Sequence, residues 1–181
     1  MVKAVFLDRD GTLVNDPGYA YKIVDFKFLP GVLDGLKRLS KEFIFFIITN
    51  QSGIGRGIYT EKDFIDVNNH LLGIFKKNKI KIKKTYHCPH TPEESCKCRK
   101  PSIKFIKEAE REFGIDLKNS WVAGDKPIDI EMGKKSGCKT VYLLTGQGKK
   151  RLDELKKNKA RPEFIAEDFL EAADFIMKSI R

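Results

Sequence analysis

Two carboxylates, Asp8 and Asp10, stand two positions apart in the stretch DRDGT, directly after the apolar run at residues 2–7. Side chains two positions apart on an extended chain point to the same side, so both acids are predicted to face one site. One carboxylate could attack phosphorus to form an acyl phosphate, and the other could protonate the leaving alcohol and then activate water. Arg9, between them, is predicted to point away. Taken alone, the motif also fits an acidic turn, or a calcium loop without its other ligands.

Polar residues also follow two further apolar runs. Residues 43–48 lead into TNQSG, which begins at Thr49, and residues 121–123 lead into GDK, which contains Asp125. Ligands of an open parallel sheet bind beyond the carboxyl ends of its strands, so three such endings favour one active site. Carboxylates from two loops suit Mg²⁺, which offsets phosphate charge. Thr49 and Asn50, together with Lys100, could bind phosphoryl oxygens.

A cysteine-rich segment, HCPHTPEESCKCRKP, holds three of the four cysteines. In a cytosolic chain such a cluster favours a metal site over disulfides. One histidine and three thiolates would form a closed, structural Zn²⁺ site with the ligands Cys88, His90, Cys96 and Cys98. A metal-free reduced loop and a disulfide are the alternatives. The segment leads directly into Arg99 and Lys100, so a metal-pinned loop is expected to hold both cations over the phosphate.

The elements that would position these residues alternate between strands and helices. Apolar runs predict strands at residues 2–7, 43–48, 84–87, 121–123 and 140–145. Helical spacing of apolar residues predicts helices at residues 31–40, 60–77, 102–113, 128–136 and 167–180. This alternation predicts an α/β fold, a Rossmann-like three-layer sandwich with a mostly parallel sheet, no separate cap domain and a small zinc-binding loop. Residues 1–181 are predicted to form one domain.

Composition narrows the functional class. The chain has 181 residues, 41% hydrophobic and 33% charged, and contains no apolar run long enough for a membrane span. Its first residues lack the pattern of a signal peptide, so a cytoplasmic location is expected. The formal net charge of +10 fits nucleic acid or an anionic substrate. A zinc-stabilised nucleic-acid-binding module is a remote alternative, because the cysteine loop lacks zinc-finger spacing. We expect a monomer without nucleic-acid or membrane partners.

Four segments together resemble the motifs of the haloacid dehalogenase-like (HAD) phosphatases: FLDRDGTL, IITN, RKP and VAGDKPIDI, in that order. The resemblance implies that Asp8 is the nucleophile and a Mg²⁺ ligand. It implies that Asp10 is the general acid and base, with its backbone carbonyl on Mg²⁺, and that Asp125 completes the Mg²⁺ site. Thr49 and Lys100 would stabilise the phosphoryl group.

The resemblance leaves two roles open for Asp129. It would either orient the metal site or serve as a helix N-terminal acid.

Within this superfamily the resemblance extends to the D-glycero-D-manno-heptose 1,7-bisphosphate 7-phosphatase family, through DRDGTLVND, GYAYKIVDFKFLPGV, TNQSGIGRG and the loop ending in CRKP. The related histidinol-phosphatases share the aspartates and the metal loop, but their second motif usually reads NQDG where this chain has NQSG. The resemblance implies Mg²⁺-dependent removal of the 7-phosphate through an aspartyl-phosphate. The implied substrate contacts are Asp16, Pro17, Gly18, Tyr19, Thr49, Asn50, Gln51, Ser52, Arg99, Lys100 and Lys126.

Arg99 suits a second phosphate, because its planar fork binds phosphate oxygens in pairs. Histidinol phosphate, other small phosphomonoesters and phosphorylated nucleic-acid ends are the alternative substrates, and the anomer is left open.

Overall fold

The computed structural model describes residues 2–158 and 161–180. Six strands form one sheet in the order β3-β2-β1-β4-β5-β6, and every neighbouring pair is parallel. The strands are β1 (Ala4–Leu7), β2 (Ile44–Asn50), β3 (Ile82–Cys88), β4 (Trp121–Gly124), β5 (Lys139–Leu143) and β6 (Phe164–Ala166). The predicted α/β architecture is confirmed, and the sheet is wholly rather than mostly parallel.

Helices connect the strands, as a parallel sheet requires. They are α1 (Val32–Leu39), α2 (Ser52–Gly55), α3 (Glu61–Lys77), α4 (Lys104–Phe113), α5 (Pro127–Ser136), α6 (Leu152–Lys157) and α7 (Phe169–Lys178). The five predicted helices are present, and α3 begins at a capping box, in which the Asp63 N–H donates to Thr60 Oγ1. The short helices α2 and α6 and the strand β6 were not predicted.

The core has two sides because alternate residues of the central strand β1 point to opposite faces of the sheet. Val5 and Leu7 pack in a cluster with α1, α3 and α7. Ala4 and Phe6 pack in a second cluster with α4 and α5. Helices therefore cover both faces, which confirms the predicted three layers.

The segment between β1 and β2 holds a small flap and the predicted helix α1. Its flap is pinned by a parallel bridge from Val14 to Asp10 and an antiparallel bridge from Val14 to Phe28. Within the described ranges, none of the helices combines the length and the apolar character needed to cross a membrane.

The topology brings the carboxyl ends of β1, β2 and β4 side by side at one edge of the sheet. β1 lies between β2 and β4, and the Asp8 N–H donates to the Ala123 carbonyl at 3.0 Å. β3 extends the same edge, where Asn50 pairs with Cys88. The loops that carry the predicted aspartates, Thr49 and the cysteine cluster therefore open at one place.

Candidate active site

A cleft of about 410 Å³ opens at this edge of the sheet. The cleft is lined by many of the residues that were predicted to act at this site: Asp8, Asp10, Asp16, Gly18, Tyr19, Thr49, Asn50, Gln51, Ser52, Arg99, Lys100 and Lys126. The cleft is also lined by five residues that were not predicted: Ala20, Tyr59, Pro92, Ile128 and Arg151. Pro17 is exposed and is not part of the cleft wall, because Asp16 Oδ1 accepts the Gly18 N–H at 3.0 Å and closes a tight turn around it.

Lys100 joins two buried carboxylates at the base of the cleft. Its Nζ lies 2.7 Å from Asp8 Oδ1 and 2.7 Å from Asp129 Oδ1, and it donates to the Ile48 carbonyl at 3.0 Å. Burial opposes charge on both partners, but Lys100 holds the pKa of Asp8 below its usual value. Asp129 and Asp8 raise the pKa of Lys100 against the same burial. Both groups are therefore charged at neutral pH.

Three buried carboxylates, those of Asp8, Asp125 and Asp129, place oxygens within 4.8 Å of one another. Burial, followed by the charge of Asp8, raises the pKa of Asp125 to about 8. Asp8 Oδ2 is buried and has no hydrogen-bond partner among the residues described. A buried, unpartnered carboxylate oxygen inside an acidic cluster fits an oxygen-liganded divalent cation.

Asp125 is fixed in place by two neighbouring loops. Its Oδ2 accepts the Gln147 N–H at 2.8 Å, and Thr12 Oγ1 donates to its Oδ1 at 3.3 Å. Gly11 has a φ of +89°, and a Cβ at this position would lie 2.2 Å from Asp125 Oδ2. The glycine of DRDGT thus allows the first loop to approach the buried acid.

Asp129 is a helix N-terminal acid, which is the second of the two roles that the sequence left open. As the third residue of α5 it accepts the Lys126 N–H at 3.1 Å, and it also pairs with Lys100.

The prediction that Arg9 points away is wrong. Its side chain is fully buried, with Nε donating to Asp10 Oδ1 and Nη2 donating to Asp10 Oδ2, both at 2.9 Å. A guanidinium matches a carboxylate in this two-point geometry. Arg9 also donates to the Ala20 carbonyl at 3.2 Å, which attaches the flap to the site.

Gln51 makes its polar contacts inside the protein. Its Nε2 donates to Asp10 Oδ2 and to Thr49 Oγ1, each at 2.8 Å, and its Oε1 accepts the Tyr59 hydroxyl at 2.5 Å. The side chain predicted to touch substrate therefore connects two other site residues.

The cysteine loop brings its four candidate ligand atoms together. The Sγ atoms of Cys88, Cys96 and Cys98 are 3.3–3.6 Å apart, and His90 Nδ1 lies 3.4 Å from Cys98 Sγ and 3.5 Å from Cys88 Sγ. Sulfur atoms in a disulfide are about 2.05 Å apart, so this spacing is too long for one. It is close to the edge of a tetrahedron around an ion with Zn–S bonds of about 2.3 Å.

Hydrogen bonds donated by backbone N–H groups connect this loop to the second motif. The Gln51 N–H donates to the Cys88 carbonyl at 2.7 Å, and the Lys100 N–H donates to Asn50 Oδ1 at 3.0 Å. Arg99 Nη1 donates to the His90 carbonyl at 3.2 Å.

The missed cleft residues had no sequence signal that could find them. Tyr59 directly precedes the Thr60 N-cap of α3, and Arg151 follows two lysines near α6. Their positions depend on how the loops fold over the sheet edge.

The chain is similar to known proteins in both sequence and fold. A HAD-hydrolase-like family model matches residues 97–172. The D-glycero-alpha-D-manno-heptose-1,7-bisphosphate 7-phosphatase of Campylobacter jejuni is 42% identical, over 90% of this chain and 94% of that protein. The D-glycero-beta-D-manno-heptose-1,7-bisphosphate 7-phosphatase of Haemophilus ducreyi is 37% identical, over 83% of this chain and 91% of that protein.

A solved structure has the same fold over nearly its full length. The D,D-heptose 1,7-bisphosphate phosphatase of B. bronchiseptica, complexed with magnesium and phosphate, superposes with a TM-score of 0.89 at 25% identity. The match covers 98% of this chain and 99% of that one.

Proposed function

This chain belongs to the haloacid dehalogenase-like phosphatases, in the D-glycero-D-manno-heptose-1,7-bisphosphate 7-phosphatase family, and from that membership we propose that it removes the 7-phosphate of the heptose bisphosphate. The observation that carries the proposal is the ionised, buried Asp8 held 2.7 Å from Lys100 at the base of a cleft shared with Asp10 and Arg99. The relatives are named for both anomers, so the proposal covers both.

The first step forms the aspartyl-phosphate. The Asp8 carboxylate bonds to the phosphorus of the 7-phosphate, and the bond from phosphorus to the sugar oxygen breaks. Asp10 gives its proton to that oxygen, so that the sugar leaves as an alcohol. Thr49 and Lys100 bind the phosphoryl oxygens and so stabilise the transition state.

The second step releases phosphate. Asp10, now ionised, takes a proton from water as the water oxygen bonds to phosphorus. The bond between phosphorus and Asp8 then breaks, which frees inorganic phosphate and leaves Asp10 protonated for the next cycle.

Magnesium fits the acidic cluster. Asp8, Asp125 and the backbone carbonyl of Asp10 would hold it, and the unpartnered Asp8 Oδ2 supports this assignment. When bound, the ion neutralises phosphate charge and polarises a phosphoryl oxygen.

Zinc fits the cysteine loop as a structural ion. The ligands would be the three thiolates and His90 Nδ1, whose spacing supports a closed tetrahedral site. The loop then has a fixed shape from which Arg99 and Lys100 extend into the cleft.

Arg99 is proposed to bind the phosphate on carbon 1. It lines the cleft beside Lys100, and a guanidinium can donate two hydrogen bonds to one phosphate. A bisphosphate is therefore expected to bind better than a monophosphate of the same sugar.

A phosphate-release panel tests the proposal. With Mg²⁺, we expect the highest kcat/KM for heptose 1,7-bisphosphate, tested as both anomers, above hexose bisphosphates, histidinol phosphate and 3′-phosphorylated oligonucleotides. Asp8→Asn should abolish turnover, and a variant that still turned over would disprove the aspartyl-phosphate route. A panel led by histidinol phosphate would instead assign the related amino-alcohol phosphatase activity.

A further inference from the structure

The Asp10 carboxylate is fixed by more than its pairing with Arg9. Gln51 Nε2 donates to Asp10 Oδ2 at 2.8 Å. Asp10 faces the cleft with 14% of its side chain exposed, whereas Gln51 is only 3% exposed. The groups that hold the acid thus lie on its inner side and leave its outer side open to a substrate.

Tyr59 determines which end of the Gln51 amide faces Asp10. Its hydroxyl donates to Gln51 Oε1 at 2.5 Å, and Arg9 Nη2 donates to the same oxygen at 3.3 Å. With two donors on the carbonyl end, the NH₂ end must face Asp10 and Thr49. A reversed amide would place its oxygen against a carboxylate, which repels it.

The Tyr59 ring is held in place by its surroundings. It stacks on Tyr21 with centroids 5.2 Å apart and planes 5° apart, and meets the edge of Tyr19 at 6.1 Å. A Cβ on Gly53 would lie 2.1 Å from this ring, so the glycine of the second motif makes room for it. Burial raises the pKa of Tyr59 above its usual value, which keeps the hydroxyl a neutral donor.

We propose that Tyr59 is a positioning residue for the reaction, which acts through Gln51 to aim the Asp10 carboxylate at the leaving oxygen. Gln51 Nε2 also donates to Thr49 Oγ1 at 2.8 Å, so the same amide sets the acid relative to the phosphoryl-binding hydroxyl. The inference rests on the aspartate chemistry of the proposed function and is independent of which sugar phosphate is the natural substrate.

The test uses two leaving groups that differ in their need for a proton. The alcohol of a hexose 6-phosphate must be protonated as it leaves, whereas p-nitrophenolate leaves without protonation. The value of kcat/KM reports on the steps up to and including the departure of the leaving group. We expect Tyr59→Phe to lower kcat/KM for the hexose phosphate about tenfold, because one aligned hydrogen bond is lost. The kcat/KM for p-nitrophenyl phosphate should change by less than about twofold.

A double-mutant cycle shows whether Tyr59 acts through Gln51. Gln51→Met should give a larger leaving-group-dependent loss, and Tyr59→Phe should add nothing in that background. Tyr21→Phe is the matched control, because it removes the hydroxyl of the stacked ring and leaves the Gln51 contacts in place. Circular dichroism and thermal midpoints confirm that each variant is folded.

The outcomes separate this inference from the proposed function. Equal losses for both substrates in Tyr59→Phe, or no loss for either, would overturn the positioning role. Additive losses in the cycle would do the same. Asp10→Asn is run alongside: if it discriminates between leaving groups while Tyr59→Phe does not, only the positioning role fails. If Asp10→Asn does not discriminate, the acid role of Asp10 fails and the positioning role fails with it.

Discussion

Two adjacent cations, Arg99 and Lys100, have different partners. Lys100 points to Asp8 at 2.7 Å, whereas Arg99 donates to the carbonyl of His90 in the cysteine loop. One loop thus carries a cation at the buried Asp8 and a second cation that is anchored to the cysteine loop. This division is what a bisphosphate substrate requires.

Arg99→Gln is expected to raise KM for a sugar bisphosphate about tenfold or more, because charge-assisted hydrogen bonds are worth roughly 1.5–3 kcal/mol. KM for the matching 6- or 7-monophosphate should change by less than about twofold, since no second phosphate is lost. Steady-state phosphate release measures both. Arg56→Gln is the control, because Arg56 pairs with Glu93 at 3.6 Å and is not a lining residue of the cleft.

Arg151 offers the alternative binding site for the second phosphate, and its substitution tests that alternative. It is the other guanidinium on the cleft wall, and it also pairs with Glu154 at 3.3 Å. If Arg151→Gln produced the bisphosphate-specific loss and Arg99→Gln did not, the second phosphate would bind at the α6 side of the cleft.

At the scale of elements, the cysteine loop is expected to act on the reaction through its attachments. It is bonded to the second motif through Cys88 and leads directly to Lys100. Removing the proposed zinc should lower kcat and raise KM, because Lys100 and Arg99 would lose their fixed support. Zinc content and steady-state kinetics before and after chelation, with Mg²⁺ restored, measure the effect.

Cys96→Ser should reproduce the chelation result, and Cys138→Ser should not. Cys138 is buried directly before β5, outside the cluster. Unchanged kcat and KM in a zinc-free preparation would refute the supporting role of the loop.

A single carboxylate joins β5, β6 and α5 at the opposite end of the sheet. Glu163 Oε2 accepts the Thr140 N–H at 2.6 Å, and Glu163 Oε1 pairs with Lys134 at 2.5 Å. Burial opposes ionisation, but the Lys134 and Thr140 bonds lower the pKa of Glu163. A carboxylate whose pKa is lower in the folded protein than in the unfolded chain stabilises the fold at pH values above the unfolded pKa. This stabilisation is lost as the pH falls through the folded pKa.

Glu163→Gln is therefore expected to cost about 1 kcal/mol at pH 7, the net value of a lost hydrogen bond. It should also reduce the fall in stability below about pH 4.5, since glutamine does not titrate. Urea unfolding at pH 7 and pH 4 tests both effects. Glu131→Gln is the control, because Glu131 pairs with Lys135 on the surface of one helix. A Glu163 variant with the wild-type pH dependence would contradict this account.

The long helices and strands, and the polar loops that follow β1, β2 and β4, could be predicted from the sequence, because they depend on the pattern of neighbouring residues. Buried runs such as residues 44–50 and the Thr60 capping box are readable over a few residues. Strand β6 spans only Phe164–Ala166, too short for a pattern, and its pairing with β5 depends on the sheet already present. The burial of Arg9 likewise depends on Gln51 and Ala20, which are distant in sequence.

At the scale of the whole molecule, the topology concentrates negative charge where three strands end. The chain carries a net charge of +10, yet three buried carboxylates meet within 4.8 Å at the centre of the sheet edge. Lys100 and Lys126 offset part of this charge: Lys100 contacts two of the acids, and the nearby charges raise the pKa of Lys126 despite burial. The remaining repulsion opposes folding and favours binding of a divalent cation.

The metal-free protein is accordingly expected to lose stability as pH rises from about 4 to about 8. Burial and Asp8 raise the pKa of Asp125 to about 8 in the folded protein, so over this interval the folded state holds a proton that the unfolded state has released. Stability then decreases with pH, which is the opposite slope to that of Glu163. Thermal unfolding in chelator across this range measures it.

Mg²⁺ should remove this loss, because it binds the ionised carboxylates of the folded state and stabilises it by mass action. We expect its thermal shift to be larger at pH 8 than at pH 6, where protons compete for Asp125. Asp125→Asn should be at least as stable as the wild type without metal at pH 8, should show no Mg²⁺ shift, and should be inactive. If Asp125→Asn were markedly less stable without metal, the acid would serve the fold rather than the metal, and repulsion at the sheet edge would not limit stability.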